Sequence, residues 1–97
     1  MDDKHIIIAY DIADNKRRGH LVRWLLNFAW RVQFSVFEAA ISPKELERML
    51  AGIKKRIDIN EDSVLIYELN KSNLEKKQLL GIDKGEKDPM AEGYAVI

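Results

Sequence analysis

The stretch IIIAYDIADNKRRGH, Ile6 to His20, carries the residue types best suited to chemistry. An apolar run leads straight into Asp11, a second acid follows at Asp14, and then come Lys16, Arg17 and Arg18. A carboxylate at the carboxyl end of a strand, just ahead of a helix, sits where loops build sites. Its hard oxygens suit Mg²⁺ or Mn²⁺. One carboxylate is weak ligation. Two, brought together across a twofold axis with waters and a phosphate, would suffice. An ion so held would polarise a phosphodiester and lower the pKa of a bound water. The plainer role for Asp11 is a hydrogen bond to the loop before the helix, and the residues alone leave both open.

Other chemistries find less support. The chain has no cysteine, which excludes a disulfide framework and a thiolate metal site. The two histidines, His5 and His20, are far apart and read as a strand-edge residue and a solvated one. No serine stands in a nucleophile elbow; Ser35 lies within strand-like sequence. No Gly-rich loop of the phosphate- or ligand-binding kind is present, which weakens a small-molecule regulatory reading.

Charge sharpens the picture. Sixteen Lys and Arg balance sixteen Asp and Glu. From Asn15 to Val32 there are five bases and no acid, whereas from Asp58 onward nine acids outnumber five bases. One end of the fold can therefore present positive charge that the average hides. No apolar run approaches the ~20 residues of a membrane span. The MDDKH start is acidic, unlike a signal peptide. A cytoplasmic protein without membrane contact is expected.

The elements that must position these residues follow from periodicity. Lys4 to Ile12 reads as a central strand, apolar and β-branched. Asp14 is a fitting N-cap for a helix whose apolar stripe is Leu21, Trp24, Leu25 and Phe28. Lys16, His20, Arg23 and Asn27 form the opposite stripe, either solvated or a contact surface. Trp30 to Ile41 is strand-like but long. It is one bent strand or a pair turning near Phe34–Ser35, with no Gly, Pro or Asn to mark the turn.

Ser42, Pro43 and Glu45 make a capping box with proline at the first helical position. Leu46, Met49, Leu50, Ile53 and Ile57 then fill one helical face. Asp62 to Leu69 is another strand. Ser72 and Glu75 suggest a short third helix capped at Gly81, and YAVI at the end suits an added edge strand. This order predicts an α+β fold: a ferredoxin-like βαββαβ antiparallel sheet with helices on one face, plus a C-terminal edge strand. Residues 1–82 form the domain. Residues 83–97 form a connector and strand expected to pack on a partner protomer.

Two stretches in order, YDIADNKRR and RVQFSVFEAAI, with a helix between them, resemble the Cas two family of CRISPR-associated proteins. DSVLIYEL fits the family's later strand more loosely. The resemblance covers Ile6 to Leu69. It implies a ferredoxin-like homodimer holding a divalent ion, Mg²⁺ or Mn²⁺, between paired copies of Asp11, the metal and catalytic residue. It implies a metal-dependent endonuclease acting on RNA or double-stranded DNA in spacer acquisition, beside the CRISPR integrase. The alternative is a non-catalytic DNA-binding dimer that scaffolds the integrase. Tyr10 would neighbour the metal carboxylate. Arg17, Arg18 and Arg31, with Lys16 of the same basic run, would meet nucleic-acid phosphates, and Phe37 would lie near the cleft. Ala29 stands where the family usually has glycine, so the first helix needs either a strained left-handed cap or another ending.

Overall fold

A computed structural model describes residues 3–82, 84 and 85, and the backbone of 95 and 96. Strand β1 (Lys4–Asp11) is followed by α1 (Asn15–Leu25), β2 (Trp30–Gln33), β3 (Val36–Ile41), α2 (Pro43–Arg56) and β4 (Ser63–Leu69). A short α3 (Lys71–Glu75), β5 (Gln78–Leu79) and β6 (Ala95–Val96) complete the described elements. The main sheet has the order β2-β3-β1-β4, antiparallel throughout. That is the expected ferredoxin-like arrangement, with β1 at its centre.

The helix starts are set locally. Asp14 accepts from the Arg17 amide at 2.8 Å and Ser42 from the Glu45 amide at 3.2 Å. Each relieves one of the unpaired N–H groups that open a helix, worth about 1 kcal/mol. The end of α1 settles the question raised by Ala29. Asn27 N–H bonds Trp24 O at 3.1 Å, and the amides of Phe28 and Ala29 both bond Leu25 O at 2.9 Å. The last turn tightens instead of turning left-handed, and no non-glycine residue described has a positive φ. Alanine therefore carries no strain there.

The strand pair between Trp30 and Ile41 resolves as a hairpin turning at Phe34–Ser35. Its cause lies outside the hairpin. Tyr10 donates its hydroxyl to Phe34 O at 3.0 Å and its amide to Ser35 O at 3.1 Å, so β1 clamps the turn. The register shifts between Arg31 and Gln33, leaving Val32 as an extra residue on β2.

The core lies between one sheet face and the two long helices. Ile6, Ile8 and Tyr10 of β1 and Phe37, Ala39 and Ile41 of β3 pack against Leu21, Leu25, Met49 and Ile53. Trp24 lies across Gly52, where any Cβ would collide with the indole ring, and its N–H reaches Met49 O at 3.0 Å. The absence of a side chain at position 52 is what lets α1 and α2 approach.

Residues opposite each other in antiparallel strands share a face. On the face away from the helices, Ile7 pairs with Tyr67, Ala9 with Leu65 and Asp11 with Ser63. Leu65 is 54% exposed and Tyr67 55%. An apolar strip is thus left uncovered beside the acid.

Two expectations need correction. Asn70, not Ser72, caps α3 by accepting from the Asn73 amide at 2.8 Å. The helix stops at Glu75 because the chain turns into β5, so Gly81 (φ +88) is a loop residue, not a helix cap. Most of the 83–97 segment lies outside the described residues. Its described strand, β6, pairs in parallel with β5 of the same chain.

Candidate metal and nucleic-acid site

Asp11 ends the central strand with its side chain exposed. Its neighbours Tyr10 and Ile12 are buried, at 7% and 2% exposure, so the backbone that presents the carboxylate is held from both sides. Burial pushes the Tyr10 phenol above its ordinary value, against the opposing pull of the Arg31 and Arg18 cations. The phenol therefore stays protonated and keeps donating to Phe34 O.

No group of three or more His, Cys, Asp or Glu converges among the described residues. The described residues of a single chain offer no protein cage for a cation. What they offer is one hard oxygen donor on an open surface. That fits Mg²⁺, which keeps several waters and needs only one or two carboxylates. Asp11 would supply one such carboxylate.

The basic residues behave differently from one another. Arg17 grips Asp62 with two nitrogens, Nε to Oδ2 at 2.6 Å and Nη2 to Oδ1 at 3.0 Å, and reaches Glu61 at 3.1 Å. Asp62 also accepts from the amides of Asp58 (2.8 Å) and Ala13 (3.0 Å), and its side chain has no exposed surface. This carboxylate clasps the β1–α1 loop to the α2–β4 loop. The Arg17 fork, helped by those two amides against the cost of burial, holds its carboxyl well below the usual carboxylate range. Arg17, expected to meet a phosphate, has its fork engaged within the fold by Asp62 and Glu61.

Arg18 donates to Ile12 O and to Asn15 Oδ1, both at 2.6 Å, and so shapes the loop beside Asp11. Arg31 stands over the Phe37 ring at 5.3 Å, with its Nε buried and unpartnered. Lys16 is exposed at the start of α1. Phe37 has no exposed surface and packs 6.1 Å from the Tyr10 ring. The resemblance implies a place for it near a cleft, while the residue's own chemistry favours core packing, which is what the structure shows. Arg31 thus stands with Tyr10 and Phe37 on the helix-side face of the sheet, Asp11 projects from the opposite face, and Arg18 bonds the loop that follows Asp11.

Two acids escaped sequence reasoning. Asp62 stood in a quoted motif, and its signal was the pair Glu61–Asp62, adjacent acids at the start of a strand. Glu38 also stood in a quoted motif, but nothing local marked it for burial. It is 1% exposed, bonded to His5 Nε2 at 2.8 Å and to Lys77 Nζ at 2.7 Å. Burial would raise its pKa, yet the His5 and Lys77 contacts bring the carboxyl below its ordinary value. His5 is therefore a partner of a buried acid rather than a strand-edge residue, and Lys77 ties the segment after α3 to the sheet.

The Asp62 clasp has an expected acid signature. Its folded pKa is depressed from an ordinary 3.8, so its contribution is complete above that value and is lost as the pH falls below it. Asp62→Asn should be clearly less stable than the parent at pH 7, with the gap closing on acidification below about pH 4. Urea unfolding at pH 7, 5 and 3 measures this. A gap of constant size would mean that the carboxylate's charge is not what stabilises the clasp.

Comparison with known proteins follows the same lines. A family model described as CRISPR associated protein Cas2 matches residues 4–77. A "CRISPR-associated endoribonuclease Cas2" from Pyrococcus furiosus is 38% identical over 89 residues, covering 91% of this chain and 96% of the relative. The crystal structure of Streptococcus pyogenes Cas2 superposes with a TM-score of 0.73 at 28% identity, covering 79% of this chain and 99% of the other. A chain of a partial Cas6-RT-Cas1–Cas2 complex superposes at 0.61 with 32% identity, covering 76% and 87%.

Proposed function

The chain belongs to the Cas2 family of CRISPR-associated proteins, and from that premise we propose that it serves CRISPR adaptation as a homodimeric, divalent-metal-dependent endonuclease on RNA or double-stranded DNA. The observation that carries this reading is the position of Asp11. It lies on the sheet face that the helices leave bare, in line with Ile7, Ala9, Leu65 and Tyr67. A second copy covering that apolar strip about a twofold axis would bring a second Asp11 opposite the first. The two carboxylates would then share one Mg²⁺ or Mn²⁺, which would polarise the phosphodiester and acidify a bound water. Arg18 holds the loop beside the acid. Relatives carry the name endoribonuclease, which supports hydrolysis of nucleic acid. We extend the same proposal to a cytoplasmic setting and to residues 83–97 as a contact with the partner protomer.

A second reading has its own support. A structural neighbour is part of a complex with Cas1. In this reading the dimer grips duplex DNA by backbone charge and presents it to the integrase without cutting. The two readings part in one assay. Purified protein with labelled RNA or duplex should cleave in Mg²⁺ and fall to background in excess chelator. Binding that survives the chelator with no cleavage in either buffer would leave the scaffold alone standing.

A further inference from the structure

Uncommitted cations also gather away from Asp11. Arg17 pairs with Asp62, Lys4 with Glu68 at 2.9 Å, Lys77 with Glu38, and Arg48 with Glu45 at 3.5 Å. On the helical layer the pattern changes. A groove of about 540 Å³ runs between α1 and α2, lined by His20, Arg23, Trp24, Asn27, Lys55 and Arg56. No carboxylate lines it. Arg23 and Lys55 are exposed and form no ion pair among the described residues. Arg56 stacks 4.2 Å above the Trp24 ring and bonds Gly52 O at 3.0 Å, which fixes its guanidinium at the groove wall.

Cations gathered without acids repel one another until an anion joins them. We propose that this groove is a track for a nucleic-acid phosphate backbone, on the opposite side of the sheet from Asp11. The proposal rests on the nucleic-acid reading above for the identity of the anion. Its shape favours a ribbon over a small ion. Along the α1 side the lining runs from His20 through Arg23 to Asn27, seven residue steps or about 10 Å at 1.5 Å each. That matches roughly three nucleotides at 3.4 Å per strand. The chemistry also favours nucleic acid over an acidic protein segment. Protein interfaces need apolar anchors at their centre. Here the one large apolar group, Trp24, is covered by Gly52 and by the guanidinium of Arg56, and its N–H is already bonded to Met49 O. What remains accessible is charge and amide, which suits backbone contact without base reading.

In a dimer joined through the bare sheet face, the two grooves would point outward, away from the shared acids. Grip and cleavage would then be separable. The test uses Asp11→Asn protein in chelator, so that nothing is cut, and a fluorescein-labelled 24-base-pair duplex. Adding Arg23→Glu and Lys55→Glu should weaken binding at least tenfold. It should also flatten the dependence of log K on log salt by about two, since each phosphate contact releases about one counterion. Lys44→Glu with Lys76→Glu makes the same change in net charge outside the groove and should alter affinity less than threefold. Equal losses in the two double variants, or an unchanged salt slope in the first, would overturn the track. So would polyglutamate displacing the duplex at matched charge concentration, which would mark an acidic-protein surface instead. None of these outcomes touches the cleavage assay in Mg²⁺, on which the nuclease reading stands or falls separately.

Discussion

Asp11→Asn should reduce cleavage by at least a hundredfold while leaving duplex binding within about threefold of the parent. Asparagine keeps the shape and one oxygen but removes the charge, and a neutral amide is a poor ligand for a hard divalent ion. Loss of the ion would remove both the polarised phosphodiester and the acidified water, two contributions worth several kcal/mol to the barrier. The substitution should not disturb the fold. Asp11 is exposed, whereas the residues that anchor the strand end, Tyr10 and Ile12, are untouched. Gel cleavage assays in Mg²⁺ and fluorescence anisotropy in chelator read the two properties apart. A repurified variant that still cuts would remove Asp11 from the metal site.

The second large effect is expected on the bare sheet face. Leu65→Arg with Tyr67→Arg places two cations on the strip where, among the described residues, Asp11 and exposed apolar groups coincide. Both residues are more than half exposed in the single chain, so the fold should persist by circular dichroism. In the proposed dimer each would be buried against the other copy, and an unpaired buried charge is strongly destabilising. Light scattering should report a monomer. Cleavage should fall as far as in Asp11→Asn, because a lone carboxylate would hold the ion too weakly. A variant that stays dimeric would place the twofold elsewhere. A monomeric variant that still cuts would show that one Asp11 suffices.

The parts of the fold governed by short-range rules were legible in the residues. Ser42 with Glu45, and Asp14 before the basic run, name their helices because capping uses groups three residues apart. The near-continuous apolar, β-branched run from Lys4 to Ile12 named the central strand, because it too is a local signal. The hairpin at Phe34–Ser35 was only one of two options, since its turn is held by Tyr10, 24 positions away from Phe34. In the third helix two cap signatures overlap, and Asn70 stands ahead of Ser72.

The candidate site divides in the same way. Asp11 was recognisable from its place at a strand end. The fate of Arg17 was not, because the acid that captures it lies 45 positions along the chain. Glu38 lies mid-strand, where a carboxylate normally faces solvent. Only His5 and Lys77, 33 and 39 positions away, make its burial tolerable. Charge runs show where cations occur, and long-range pairing decides which of them are left to meet a ligand.

The most direct measurement is the number of Mn²⁺ ions bound per chain by the intact protein, read by electron paramagnetic resonance or calorimetry alongside its mass in solution. A shared site predicts one ion for every two chains, in a dimer, and none in Asp11→Asn. One ion per chain, or an unchanged count in the variant, would contradict it.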